Sequence, residues 1–246
     1  MSFSKAVVVG VGAEDGLGAA LCRRYAANDR HVLVAGRSLE KVESVAAAIR
    51  RAGGRATAYA VDATREDDVI RLFDAAMTSD GDGGPADLVT HNVGRNQKID
   101  FRQMEASTFE EFWRLNTLSG FLVGREAARR FAPLGRGSIF FTGASGSLRG
   151  MPGFAHFGSS KAGLRMISQS MAREFGPQGI HVAHVVVDGA IEGDRVRSLF
   201  PGVVEQLGEN GALSTEAIAE TYWQLYLQHP SAWTQELDLR PFKENF

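Results

Sequence analysis

The chain is poor in the features that mark specialised protein classes. Its single cysteine, Cys22, excludes an internal disulfide and suits a reducing compartment. Cys22 falls in a helical pattern with Leu21 and Tyr25, which fits a buried structural thiol better than a reactive one. Neither sign of charge dominates: the net charge is −2, and nothing suggests a nucleic-acid or anionic-membrane partner. No apolar run reaches the roughly 18 residues of a membrane helix. The N-terminal MSFSKAVVVGVG enters a strand directly, without the apolar stretch and cleavage site of a signal peptide. A cytoplasmic location is therefore expected. His181 and His184 stand three apart in one strand, on opposite faces, and no motif joins them to Cys or Asp ligands, so no metal is expected.

What is present is ordinary globular composition in an alternating order. Hydrophobic residues make up 44% and charged residues 23% of 246 positions, which suits one α/β domain over 1–246. Strand patterns fall at 6–9, 31–35, 56–61, 88–90, 139–142, 181–187 and 236–239. Helical patterns fall at 17–27, 39–52, 66–77, 105–131, 154–175 and 215–228, the fourth reading as two helices that meet near Asn116. The glycines at 81–85 read as a surface connection. Strands spaced by helices of this length imply βαβ crossovers and a mostly parallel sheet covered on both faces.

Three stretches carry candidate chemistry. After the first strand, GVGAEDGLGAAL places Gly12, Gly16 and Gly18 in the spacing G-x-x-x-G-x-G before a helix. Glycines there permit a tight turn and close backbone approach, and the helix N-terminus offers free N–H groups to a pyrophosphate. The second strand ends in Gly36-Arg37, where an acid would bind a ribose 2′-hydroxyl. An arginine suits a 2′-phosphate instead, so NADP(H) is favoured over NAD(H). Asp62, after the third strand, suits either an adenine amino group or a cap on the next turn. The third stretch, 138–163, is an apolar strand, a Gly-rich loop and a helix that sets Phe157 and Lys161 on one face, four residues apart.

Together these features resemble the short-chain dehydrogenase/reductase superfamily over essentially the whole chain. The matching positions are Gly12, Gly16, Gly18, Asp62, His91-Asn92-Val93-Gly94, Asn116 and Lys161. The resemblance implies a Rossmann-like, doubly wound parallel sheet of about seven strands and a nicotinamide cofactor. It implies cofactor contacts from Gly12, Gly16, Leu17, Gly18, Arg37, Asp62, Ala63, Asn92, Val93, Gly94, Lys161, Gly189 and Ile191. It also implies a small-molecule substrate and a homo-oligomer, a tetramer or dimer, built partly through the helices of Asn116 and Lys161.

The departures fall on the catalytic groups that the resemblance implies. Phe157 stands where the family has its catalytic Tyr, and Ala144 where it has its Ser; Asn116 and Lys161 are kept. Phe154, seven before the Lys, is where the enoyl-reductase branch has its Tyr, and Asp188-Gly189 replaces Pro-Gly. A phenyl ring transfers no proton and a methyl group donates no hydrogen bond, so ordinary ketone reduction is expected to be severely impaired. Ser145 and Ser147 flank Ala144 as possible substitutes. His156 neighbours Phe157 and reads chiefly as a surface or interface histidine. Asp188 reads equally as a base or cation stabiliser near the nicotinamide, or as a cap of the next turn. Arg149, Phe154, Phe157 and Phe200 are candidate pocket walls, with Phe154 weighted toward the core. Trp233, Leu237, Leu239 and Phe242 suit either subunit contacts or packing within the chain. Three functions fit: an NADP-dependent oxidoreductase acting on an activated acceptor such as an imine, iminium or enone; a nucleotide-binding protein without turnover; and a non-redox isomerase or lyase.

Overall fold

A seven-stranded parallel sheet in the order β3-β2-β1-β4-β5-β6-β7 runs through the computed structural model, which describes residues 4–81, 83–199 and 201–244. The strands are β1 (Ser4–Val9), β2 (His31–Gly36), β3 (Arg55–Ala60), β4 (Gly84–His91), β5 (Gly137–Thr142), β6 (Ile180–Val187) and β7 (Glu236–Leu239). The helices are α1 (Leu17–Ala27), α2 (Leu39–Arg51), α3 (Glu66–Met77), α4 (Ala106–Trp113), α5 (Ser119–Phe131), α6 (Ala155–Phe175), α7 (Asp194–Leu199), α8 (Val203–Leu207) and α9 (Thr215–Tyr226). This is the doubly wound, Rossmann-like arrangement that the alternating pattern implies. Chain order reverses between β1 and β4, and in such sheets ligands bind in the crevice beyond the strand ends at that point.

Side-chain alternation divides the core between the two faces. Ala6, Val8, Val34, Phe140, Ala183 and Val185 pack beneath α1, α2 and α9. Val7, Val9, Leu33, Val89, Ile139, Phe141 and Val182 pack beneath α3, α5 and α6. Parallel strands buried on both sides lose the polar–apolar rhythm, which is why β6 is buried at all eight positions. Cys22 lies fully buried within α1, and burial raises its thiol pKa. No helix among the described residues is long and apolar enough to cross a membrane.

The structure corrects several boundaries. β4 begins at Gly84, inside the glycine stretch that reads as a loop. The helical run around Asn116 holds the two expected helices, α4 and α5, and they are joined without a break by a π turn over Arg114–Leu118. π turns inside helices frequently mark functional positions. α7 and α8 occupy a segment whose sequence shows no helical period long enough to read. Phe200, a candidate pocket wall, lies outside the described residues.

Candidate active site

The cofactor side is built by backbone proximity at the ends of β1, β2 and β4. Gly10, which closes β1, has φ +98°, and a Cβ there would lie 2.6 Å from the Asn92 carbonyl carbon. A Cβ on Gly18 would lie 3.0 Å from Val11 Cα, and one on Gly36 would lie 2.2 Å from the Val11 oxygen. Close approach is thus enforced at Gly10, Gly18 and Gly36. The tight-turn role expected at Gly12 and Gly16 falls elsewhere, since neither has a positive φ and a Cβ on Gly12 meets no atom within 4 Å. Gly16 is the N-cap of α1 and offers no side-chain cap, so the first N–H groups of the helix, starting at buried Leu17, are left to other acceptors. An uncapped helix start beside an open glycine turn fits a pyrophosphate.

Arg37 is exposed beyond the end of β2 and pairs with no described residue, while the next residue, Ser38, caps α2. Its unpaired guanidinium fits a phosphate at the adenosine end. Asp62 Oδ1 accepts from Thr64 N at 2.9 Å and from Thr64 Oγ1 at 2.8 Å, so the turn cap is the role it fills here. Ala63 is buried beside it.

The centre is assembled by the segment after β4. Asn92 N donates to Val9 O at 2.7 Å, which ties the ends of β1 and β4 together. Lys161 Nζ donates to Thr142 O at 2.9 Å and to Val93 O at 3.2 Å. A Cβ on Gly94 would lie 3.2 Å from Lys161 Nζ and 3.4 Å from Asn116 Oδ1, so this glycine brings the two side chains together. Asn116, fully buried in the π turn, donates through Nδ2 to Phe112 O and Ser160 Oγ, both at 3.1 Å. Its Oδ1 accepts from no described residue. His91 lies beneath, bonded through Nε2 to Ser119 Oγ at 2.8 Å. Burial, and secondarily the Lys161 charge, push its pKa down to about 3.

A pocket of about 170 Å³ opens on the outer side of Phe157, lined by Asn96, Ser145, Gly146, Arg149, Met151, Phe154, Phe157 and Gly158. The Phe157 ring lies so close to the loop that a Cβ on Gly146 would sit 2.9 Å from it. Ser147 is buried, accepts from Ala144 N at 3.1 Å and does not line the pocket, whereas half-buried Ser145 does. Phe154 is a pocket wall, not a core residue, because it caps α6 from outside the helix. Asp188 is buried and accepts from Arg149 Nη2 at 3.1 and 3.3 Å, so its side chain engages the pocket arginine instead of capping a turn. Gly189 follows with φ +140°, and a Cβ there would lie 2.8 Å from Pro241. Ile191 bridges to Leu213.

A family model described as short chain dehydrogenase matches residues 5–202. The chain belongs to the short-chain dehydrogenase family. It is 33% identical over 199 residues to the uncharacterized oxidoreductase YuxG of Bacillus subtilis; this match takes in 79% of this chain and 28% of that protein, little more than a quarter of its length. A crystal structure of a short-chain dehydrogenase from Rhodopseudomonas palustris is similar at TM-score 0.80 and 37% identity, over 97% of this chain and 99% of that one. A metagenomic short-chain oxidoreductase crystallised with NADP shares the fold at TM-score 0.80 and 23% identity, over 99% of this chain and all of that one.

His156, read as a surface or interface residue, is fully buried and meets Phe112 edge-on at 4.2 Å between ring centres, because the first turn of α6 packs on α4. His181 stacks on Trp233 at 4.9 Å, while His184 bonds Glu236 through Nδ1 at 2.9 Å. Trp233, Leu237 and Leu239 thus pack within the chain, and Phe242 is exposed. Sequence reasoning missed Gly10, although V-V-V-G-V-G immediately after a strand holds the signal. It also missed the Arg149–Asp188 pair, whose members lie 39 residues apart and carry no spacing signal.

Proposed function

We propose that this short-chain dehydrogenase is an NADP(H)-binding oxidoreductase with a non-standard active site, working as one domain on a small-molecule acceptor that is already activated. The observation that carries the reading is the meeting of Lys161 and Asn116 across Gly94, beside a Phe157 and an Ala144 that offer no hydroxyl. A family whose site keeps the cofactor-holding lysine and loses the proton donor retains binding and positioning while it loses proton delivery. Bound NADPH would supply a hydride. The chain's own part is to hold the cofactor through the α1 N-terminus, Arg37, Asn92 and Lys161, and to orient the acceptor against Phe157. General acid catalysis contributes about 10²–10⁴-fold, so acceptors that need no enzyme proton in the hydride step are favoured. Asp188 is already engaged by Arg149, which leaves it unsuited to stabilise a cationic iminium. The donors lining the pocket, Arg149, Asn96 and Ser145, favour an acceptor oxygen that gains negative charge, as in an enone.

The NADP preference rests on unpaired Arg37, and a family relative crystallised with NADP is consistent with it. A second reading, a nucleotide-binding protein without turnover, rests on the same Phe157. NADPH titration followed by a screen of ketones, enones and imines for NADPH oxidation separates them. Turnover of enones but not simple ketones is expected, and tight NADPH binding with no turnover on any class would favour the second reading. We also propose a homo-oligomer through α5 and α6, whose outer faces form a groove of about 630 Å³ lined by Phe121, Ala128, Ile167, Met171 and Phe175. Phe121 is 43% exposed there, as an apolar face awaiting a second copy would be.

A further inference from the structure

The inference takes the pocket beside Phe157 as the substrate side of the proposed site, and concerns what that pocket selects. Its apolar walls are Met151, Phe154 and Phe157, and its one charged lining group is Arg149. Arginine carries a rigid fork of five N–H donors that matches a carboxylate in bidentate geometry. Here one end of the fork is already used: Nη2 donates to both oxygens of Asp188, at 3.1 and 3.3 Å. Asp188 is 3% exposed and fixed by its own N–H, which donates to Leu239 O at 2.8 Å. The arginine is itself 40% exposed and lines the pocket, so a buried acid just after β6 holds one end of a guanidinium whose other nitrogens bond no described residue. A flexible surface arginine pays side-chain entropy to bind an anion; one already held loses less.

A neighbouring cation reinforces the sign. The stem of Lys98 crosses the turn that carries Met151 and Phe154, since a Cβ on Gly153 would lie 2.8 Å from Lys98 Cγ. That strand-like contact is tied by Ile99 N donating to Gly153 O at 2.9 Å. Lys98 forms no ion pair with any described residue, whereas nearby Arg95 is paired with Glu111. Asp188 offsets the Arg149 charge in part, and Arg240 at 3.9 Å in turn offsets Asp188.

We propose that Arg149 is a substrate-specificity residue, and that the pocket takes a small carboxylic acid, its carboxylate on the free edge of the guanidinium and its apolar body against Phe154 and Phe157. The test uses phenylacetate and its neutral counterpart phenylacetamide, titrated calorimetrically into the full chain with and without NADPH. The expected result is at least tenfold tighter binding of the acid, a ratio that falls severalfold with added salt. Arg149→Gln should bring the ratio near one while the amide's affinity stays. Arg149→Lys should keep part of the ratio, because it restores charge without the fork. Equal binding of acid and amide by the wild type, no measurable binding of either, or an unchanged ratio in Arg149→Gln would each overturn the proposal. NADPH affinity is read separately. A chain that binds the acid but not NADPH keeps the anchor and loses the cofactor reading, and one that binds NADPH without discriminating the probes does the reverse.

Discussion

Lys161 Nζ donates to the Thr142 carbonyl at 2.9 Å, so its ammonium is anchored to the end of β5 by main chain. With Val93 O as a second acceptor at 3.2 Å, the position of the lysine does not depend on any hydroxyl at position 157. In the proposed site the cofactor half therefore keeps its shape, and the consequence of Phe157 falls on proton transfer.

Restoring the two missing groups follows from that geometry. Phe157→Tyr together with Ala144→Ser should create NADPH-dependent reduction of simple ketones. Acid catalysis and an oxyanion donor contribute about 10²–10⁴-fold and about 10²–10³-fold, without simple additivity. Ser147 already accepts from Ala144 N at 3.1 Å, so the new serine must share a crowded loop and the gain should fall below the full product. Steady-state rates with a panel of ketones measure it. If the double variant binds NADPH and shows no gain, the pocket is not shaped for carbonyls.

Much of this was legible before any coordinates, for reasons that differ by element. α1 and α3 begin and end where the sequence places them, because their apolar periods are complete and glycine or an acidic first turn marks their starts. Local period also located β6 and β7. Pairing across the sheet was not legible: the Arg149–Asp188 contact exists only because β5 and β6 are neighbours, and Ser147 and His156 turn inward because of what packs on them. The meeting of two helices near Asn116 was legible, but the π turn that joins them was not, because a one-residue widening leaves the helical period almost unbroken.

The proposed NADP(H) preference rests on Arg37. Arg37→Asp should weaken NADPH binding by about tenfold to a hundredfold, the range for losing charge-assisted hydrogen bonds worth about 1.5–3 kcal/mol. NADH binding should hold or improve, since an acid there can accept from a ribose hydroxyl. Fluorescence titration with both cofactors checks the prediction, and equal NADPH affinities for wild type and variant would remove Arg37 from the site.

The proposed oligomer has its own handle. Phe121 lines the α5–α6 groove with its ring beneath the Arg125 guanidinium, 5.2 Å from the ring centre. Phe121→Asp removes the exposed ring from a groove that Arg125, Arg129 and Glu174 also line, and should shift the protein to a smaller species in light scattering while leaving the monomer folded. An unchanged molar mass would mean that this face is not the contact.

Gly36 tests whether backbone proximity builds the cofactor turn. A Cβ there would lie 2.2 Å from Val11 O and 3.0 Å from Val42 Cγ1, so Gly36→Ala must push the end of β2 away from the turn after β1. Overpacking of this kind costs about 1–3 kcal/mol. The denaturant midpoint should fall by a corresponding amount, and NADPH affinity should fall with it because the same displacement moves Val11. A variant with an unaltered midpoint would show that the two strands can separate without strain.

His184 sets a dependence of stability on pH. It is fully buried under Gly143, with Glu236 at 2.9 Å and with Lys161 and Arg165 nearby. Burial pushes its pKa down to about 4; Glu236 opposes that shift, and the charges of Lys161 and Arg165 add to it. Arg165, at 2.6 and 2.7 Å, holds Glu236 below the usual carboxylate range, so the acid stays ionised beside a neutral imidazole. In the unfolded chain the imidazole takes a proton near pH 6.5. Between that value and about 4 the unfolded state binds more protons than the folded one, so stability falls as pH falls through this window. At about 1.4 kcal/mol per unit the loss is on the order of 3 kcal/mol. Thermal unfolding measured from pH 7 to 4.5 should show the midpoint dropping most steeply below 6.5, before carboxylate protonation contributes much. His184→Gln removes one of two such groups and should make that slope shallower without abolishing it, because buried His91, pushed down to about 3, contributes at least as much over the same window. Parallel curves for the two proteins would mean that His184 already carries its proton in the folded state.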